Sequence, residues 1–306
     1  MTEKTIKISH SKLSDFNKCK RFYKYRYLDQ LIPKKTKSAL QFGSIFHEAV
    51  EALYQGVSIE RIQERIKQTI DALDKSFFEQ KDCDDLEWCA VVLKSAIQAW
   101  KKRFYDEDKA QNVKIVELEQ KHSKIPVKNP LNGRRSKFRF SFISDMLVKI
   151  NGQLWLVEYK TATQFGNSYI DRLDIDSQIS AYIVFLEEKY QEPIAGVIYR
   201  ILKKPSIRLR KNEAKQAFYQ RLNDLFETQT DSYLIEYKFS RTQEELADFK
   251  VDLWEQANYL DQCEKKKMFP RNTSNCMQFG TCSYFSLCTK KPNAELFFIK
   301  KQKVSL

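Results

Sequence analysis

Seven glycines are spread over 306 residues, and no G-x-x-x-x-G-K-[ST] loop can be built from them, so the chain carries no P-loop motor of its own. Long apolar runs are also missing. The stretch 181–186 is among the longest and falls well short of the 18 or more residues of a membrane span, while the opening MTEKTIKISHS has no apolar signal core. These absences predict a cytoplasmic chain without membrane attachment. Neither an internal repeat nor a low-complexity linker interrupts it, so 1–306 reads as one elaborated domain. What is present is core material: 42% hydrophobic and 13% aromatic residues exclude a disordered protein.

Basic residues outnumber acidic ones by 53 to 40, a formal charge of +13 that favours a polyanionic partner over an acidic metabolite. The excess is clustered. Residues 121–140 hold Lys121, Lys124, Lys128, Arg134, Arg135, Lys137 and Arg139 with no acid. The first forty residues interleave Arg21 and other cations with Phe22, Tyr23, Tyr25 and Tyr27. Cations beside rings suit phosphate contacts with base stacking, so Arg21, Tyr25, Arg134 and Arg135 are candidate nucleic-acid contacts; the alternative is a solvated surface.

Apolar spacing predicts helices over Ser11–Leu28, with Ser11 as N-cap, then Phe42–Tyr54, Ile59–Phe78 and Leu86–Tyr105, so that about 1–110 is mostly helical. From Val113 the period changes to two. Strands are expected over Val113–Gln120, Phe138–Ile150 and Leu154–Thr161, a helix over Ser177–Tyr190 and a strand over Ile194–Leu202. This α/β core of about 111–205 precedes a helical, Cys-rich part over about 206–306, with helices ending near Phe226 and spanning Glu244–Lys266.

Asn151-Gly152 favours a two-residue type I′ hairpin turn, which sets Ile150 opposite Gln153 and, counting back, Asp145 opposite Glu158. Facing carboxylates repel, and nothing in sheet packing rewards the arrangement, whereas a bound cation would. Lys160 shares the face of Glu158 because strand side chains alternate. Such a group suits metal-assisted phosphodiester hydrolysis, in which carboxylates hold Mg²⁺ and the lysine steadies the nucleophile or the developing charge. A surface salt-bridge cluster is the competing reading. The apolar run Trp155, Leu156 and Val157 argues against it, since the charges then emerge from a buried sheet.

Gly43-x-x-x-His47-x-x-x-Glu51, Asp145, Glu158-Tyr159-Lys160-Thr161 and Gln178-x-x-x-Tyr182 stand in that order, and with them the chain resembles the PD-(D/E)XK nuclease superfamily, specifically its RecB-type, CRISPR-adaptation-like iron-sulfur branch. The resemblance implies a restriction-endonuclease-like fold: a central mixed β-sheet flanked by helices, with a helical insertion and the Cys-rich C-terminal tail. It implies His47, Asp145 and Glu158 as ligands of Mg²⁺ or Mn²⁺, with Lys160, Gln178 and Tyr182 completing the catalytic group. Without the hairpin, His47 would read as an exposed histidine paired with Glu51; Tyr182 could be a core residue. Glu119 is an outer candidate at the metal.

Cysteines crowd the C-terminal end at 263, 276, 282 and 288, with Cys19 near the start and Cys83 and Cys89, read as ordinary thiols, between. In a cytosolic setting they suggest thiols or metal ligands, not disulfides. The resemblance implies a [4Fe–4S] cluster on Cys19, Cys276, Cys282 and Cys288. The spacing C-x-x-x-x-x-C departs from the branch's usual C-x-x-C, and Cys263 is an alternative ligand; Zn²⁺ and free thiols are the other readings. The expected function is a metal-dependent DNA nuclease, an exonuclease on single-stranded or end-exposed DNA in replication, recombination or repair, with any helicase or recombination partner separate. The alternatives are a catalytically silent DNA-binding or assembly protein on the same fold, or a structural zinc protein binding nucleic acid.

Overall fold

A computed structural model describes residues 5–34, 38–73, 80–278 and 280–301, the side chains at 38–40 and 80–84 excepted. Strand β1 (Ile6–Ile8) leads into α1 (His10–Lys18), which starts earlier than its apolar spacing predicts because the extended Ser9, not Ser11, accepts the Lys12 N–H. The expected continuous helix to Leu28 also breaks. Cys19 is extended, with φ −166° and ψ 118°, and its sulfur accepts the Asn272 N–H at 3.4 Å; a distant contact interrupts what local pattern would continue. Helix α2 (Lys20–Tyr23), a π-helical turn over Lys24–Leu28 and β2 (Leu31–Pro33) follow.

The helical part contains α3 (Ser38–Tyr54), α4 (Ile59–Asp71), α5 (Gln80–Trp100), a π-helical turn over Lys101–Tyr105 and α6 (Asp106–Ala110). Helix α4 stops at its Ala72 cap, short of the expected Phe78; the rest of that prediction, 74–78, lies outside the described residues. The buried face of α4 is Ile62, Ile66 and Ile70, one residue per turn.

Strand β3 (Lys114–Lys128) runs eight residues past the expected Gln120 and pairs antiparallel with β4 (Arg135–Ile150); the basic segment 121–140 is therefore largely a long hairpin. Strand β5 (Gln153–Ala162) follows a tight turn in which Asn151 and Gly152 have φ of 51° and 84°, as the type I′ geometry requires. The predicted register holds from Ile150↔Gln153 to Met146↔Val157. Helices α7 (Asn167–Asp174) and α8 (Ser177–Tyr190) cross over to β6 (Ile194–Lys203), parallel to β5. The chain continues through α9 (Lys215–Thr228), α10 (Thr230–Tyr233), β7 (Leu234–Phe239), α11 (Gln243–Lys266), α12 (Phe285–Cys288) and β8 (Phe298–Lys300).

Six strands form a mixed sheet in which β4 pairs with β3 on one edge and with both β1 and β5 on the other, followed by β6 and β7. Strand β6 needs Gly196, because a Cβ there would lie 2.6 Å from the Trp155 ring and 2.8 Å from the Phe239 carbonyl. Apolar residues fill both faces, because successive strand side chains point to opposite sides and both sides are covered. On one side Leu147, Leu156 and Val197 pack with α1, α8 and α11; on the other Met146, Val157 and Ile198 pack with α3, α4, α5 and α9. Among the described residues, no helix is long and apolar enough to cross a membrane.

Candidate metal centre

The β4–β5 ladder stops at Met146↔Val157, one pair short of Asp145 and Glu158. There the Asp145 Oδ2 accepts the Tyr159 N–H at 2.7 Å, so a side chain takes the place of the next backbone partner. The strands part where the carboxylates face each other. Glu119 joins them from the other edge, since Leu118↔Met146 and Gln120↔Ser144 bracket it opposite Asp145, and its φ of 44° re-aims the side chain. His47 comes from α3, on the opposite face of the sheet from α8. Its Nδ1 lies 3.5 Å from Asp145 Oδ1 and 3.8 Å from Glu119 Oε1, and its ring centroid lies 6.0 Å from that of Tyr159. The surface reading of His47 does not hold: Glu51 instead accepts a hydrogen bond from Gln55.

Glu158 is 2% exposed, and its Oε1 receives Lys160 Nζ at 2.6 Å and Gln178 Nε2 at 3.3 Å. Gln178 Oε1 also accepts from Lys160 at 3.4 Å, while its Nε2 donates to the Tyr182 hydroxyl at 2.7 Å. Gln178 therefore connects lysine, carboxylate and tyrosine. It is held by its place on α8, where the Asp176 cap accepts the Gln178 N–H and a hydrogen bond from the Tyr199 hydroxyl. The Tyr182 ring stacks on Phe142 at 4.5 Å in the core, and its hydroxyl contacts Gln178 rather than the carboxylates.

Burial opposes a charged imidazole, yet the close Asp145 and Glu119 carboxylates, with the charge of Glu158 beyond them, raise the His47 pKa to about 10. Burial, then the charge of Asp145, pushes Glu158 up to about 8 against the pull of Lys160. Lys160 moves the other way from its desolvation, raised by the charge and hydrogen bond of Glu158. Glu119 is raised by burial, only partly offset by His47. Crowded, largely buried carboxylates beside an imidazole are an arrangement that a bound cation would stabilise.

Two buried oxygens, Glu119 Oε1 and Glu158 Oε2, have no hydrogen-bond partner among the described residues. Leaving such atoms unsatisfied is costly, and a hard divalent cation satisfies them. His47, Glu119 and Asp145 each offer a ligand atom within 4.8 Å of the others. The donor set of carboxylates and one imidazole fits Mg²⁺ or Mn²⁺. Glu119, expected outside the metal's immediate contacts, is thus nearer to His47 and Asp145 than its sequence signal suggests. That signal was the alternation of β3 opposite Asp145, which required the β3–β4 register to be read.

The other candidates lie apart from this centre. Arg134 and Arg135 are exposed at the β3–β4 turn, roughly 30 Å along β4 from Asp145. Some of the basic segment is occupied: Lys128 pairs with Glu188 at 2.7 Å and Lys137 with Asp261 at 2.6 Å. Arg21 donates its Nε to the Phe269 carbonyl, and Tyr25 packs against Tyr284, so both are engaged with the C-terminal part.

Cys19 and Cys276 meet at Asn272, whose N–H donates to Cys19 Sγ and whose carbonyl lies 3.8 Å from Cys276 Sγ. The Asn272 and Asn275 side-chain amides donate to the Lys18 carbonyl, and the Cys282 N–H donates to the Cys276 carbonyl. Burial raises the Cys282 thiol, and the neighbouring Cys276 and Cys19 raise it further. Cys288 ends α12 one turn after Tyr284, which packs on Phe22. Cys263 lies in the apolar core with α11. Cys89 is buried and its thiol is pushed up to about 11, in keeping with an inert thiol; the Cys83 side chain lies outside the described residues.

No curated protein matches the chain. The model of the PD-(D/E)XK nuclease superfamily matches residues 7–289, from β1 through the last of the cysteines. A match of that extent, across the parted strands and the elements that bring His47 and Gln178 to them, means that the chain belongs to the PD-(D/E)XK nuclease superfamily.

Proposed function

We propose that the protein is a divalent-metal-dependent deoxyribonuclease, an exonuclease on single-stranded or end-exposed DNA in replication, recombination or repair, of the RecB-type iron-sulfur branch. The observation that carries the nuclease reading is the pair of unsatisfied buried oxygens on Glu119 and Glu158 beside the Asp145–His47 contact. Asp145, Glu119, Glu158 and His47 would hold Mg²⁺ or Mn²⁺. When bound, the metal polarises the scissile phosphate and makes water a better nucleophile. Lys160 presents a fixed positive charge for the developing negative charge, and Gln178 sets its direction by bonding both Lys160 and Glu158. Tyr182 holds Gln178 in turn.

A [4Fe–4S] cluster on Cys19, Cys276, Cys282 and Cys288 is supported by the approach of Cys19 and Cys276 to Asn272 and by the Cys282 N–H on the Cys276 carbonyl, and it would tie the N-terminal segment to the tail. Purification under anaerobic conditions, iron and zinc analysis, and an assay on labelled single-stranded and duplex DNA test both parts. Cleavage should require Mg²⁺ or Mn²⁺ and fall by about 100-fold or more in Glu158→Gln, with the fold retained. Near-wild-type cleavage by that variant would refute the assignment of the centre. Iron at roughly four atoms per chain supports the cluster, whereas one zinc in colourless protein would replace it.

A further inference from the structure

Beyond the end of β5 the chain forms a cleft of about 360 Å³, within the roughly 300–1,000 Å³ range of small-ligand sites. Its walls come from the 163–166 loop, the first turns of α7 and the end of β6. Two aromatic rings line it, Phe165 and Tyr169, half-buried and tilted at 50° with centroids 5.5 Å apart. Two cations line it as well. The Arg172 guanidinium lies 5.8 Å from the Tyr169 ring with its Nε on the Ser168 carbonyl, and Lys203 enters from β6. Among the described residues neither cation forms an ion pair with a carboxylate, unlike Lys128, Lys149 or Lys160.

The cleft adjoins the metal centre. Thr163 is three residues past Lys160, about 10 Å along the strand direction. Burial raises the Tyr169 phenol, and the charges of Lys160, Arg172 and Glu158 all act on it. Lys203 Nζ lies 5.8 Å from the Tyr233 ring, so both cations rest against rings rather than carboxylates. Rings with such cations beside a hydrolytic centre match the chemistry of an unpaired nucleotide, whose base stacks and whose phosphate is anionic; a duplex keeps its base faces covered.

We propose that this cleft is a nucleotide subsite, in which Phe165 and Tyr169 stack one unpaired base and Arg172 and Lys203 take the adjoining phosphate, selecting single-stranded DNA next to the hydrolytic centre. This rests on the nuclease reading. The test uses the full-length protein in EDTA and fluorescence anisotropy with an oligo-deoxythymidine strand of about twelve nucleotides, beside a duplex of the same length. Phe165→Leu and Tyr169→Leu should each weaken single-strand binding by about fivefold or more, with duplex affinity changed by less than about twofold. Tyr169→Phe keeps the stacking face and should retain wild-type affinity. A strand carrying 2-aminopurine should change fluorescence on binding wild type and Tyr169→Phe, and lose that change with Tyr169→Leu. Leucine variants with undiminished single-strand preference, or with equal losses for both strands and duplex, would overturn the subsite. Tighter binding of oligo-uridine would overturn the DNA assignment. Wild-type protein that cuts no DNA in Mg²⁺ or Mn²⁺ would instead overturn the reading beneath it, independently of what the leucine variants bind.

Discussion

His47 and Glu158 are both pushed toward protonation, for opposite reasons: acidic neighbours stabilise the imidazolium, whereas burial and Asp145 destabilise the carboxylate. Metal ligation needs both deprotonated. With His47 raised to about 10 and Glu158 to about 8, cation binding must displace protons at the acid end and becomes easier as pH rises. Mn²⁺ affinity measured calorimetrically between pH 6 and 9, in buffers of different ionisation enthalpy, should therefore climb with pH and release protons. A flat profile without proton release would contradict this account. Glu119 provides a second test at the same scale. Its Oε1 is 3.8 Å from His47 Nδ1 and otherwise unpartnered, so Glu119→Gln should weaken Mn²⁺ binding by about tenfold or more and lower cleavage with it. Unchanged Mn²⁺ affinity would return Glu119 to an outer position.

Among the secondary-structure elements, one buried contact joins the helical part to the sheet. Arg200 on β6 is 5% exposed and holds Asp108 on α6 by two hydrogen bonds of 2.6 Å, with Tyr54 of α3 on the same guanidinium and Glu236 of β7 on its Nε. Paired guanidinium and carboxylate satisfy each other out of water; removing one strands the other. Asp108→Ala should accordingly cost about 3 kcal/mol of unfolding free energy in urea, while a substitution at exposed Arg210 should be nearly neutral. A loss under about 1 kcal/mol would show that water reaches Arg200 and the helices hold their place by apolar packing alone. The same contact bears on the centre, because α3 also supplies His47.

At the scale of the whole molecule, the +13 charge and the exposed tip at Arg134 and Arg135 put positive potential far from the hydrolytic centre. DNA affinity should fall steeply as salt rises, since each neutralised phosphate releases counterions. Arg134→Glu with Arg135→Glu should weaken binding and flatten the salt slope by about two, leaving Mn²⁺ affinity unchanged because the tip is remote from Asp145. A double variant with the wild-type slope would mean that DNA runs elsewhere. The ends of the chain are linked as well: β2 pairs with β8, and the Arg21 N–H donates to the Pro270 carbonyl. Cys19→Ala and Cys282→Ala should then lower iron content alike, and retention of full iron by Cys19→Ala would break the proposed ligand set.

Local rules made much of this legible. Asn151-Gly152 determines the hairpin register, because few residues tolerate positive φ at both turn positions, and the register in turn sets Asp145 against Glu158. The apolar runs of β6 and α8 likewise specify their own boundaries: Ser177–Tyr190 is helical as its spacing predicts. Short strands β1, β2, β7 and β8 were not legible, since three to six residues carry too little periodicity and form only where a partner edge is offered. Tertiary structure alone decided that α1 would break at Cys19, where the distant Asn272 supplies the partner, and that β4 and β5 would part beside Tyr159. It also brought His47 from one face of the sheet to carboxylates aligned with the other. Sequence specifies which side chains can hold a cation; packing decides which of them meet, because their separations are set by contacts between elements far apart in the chain.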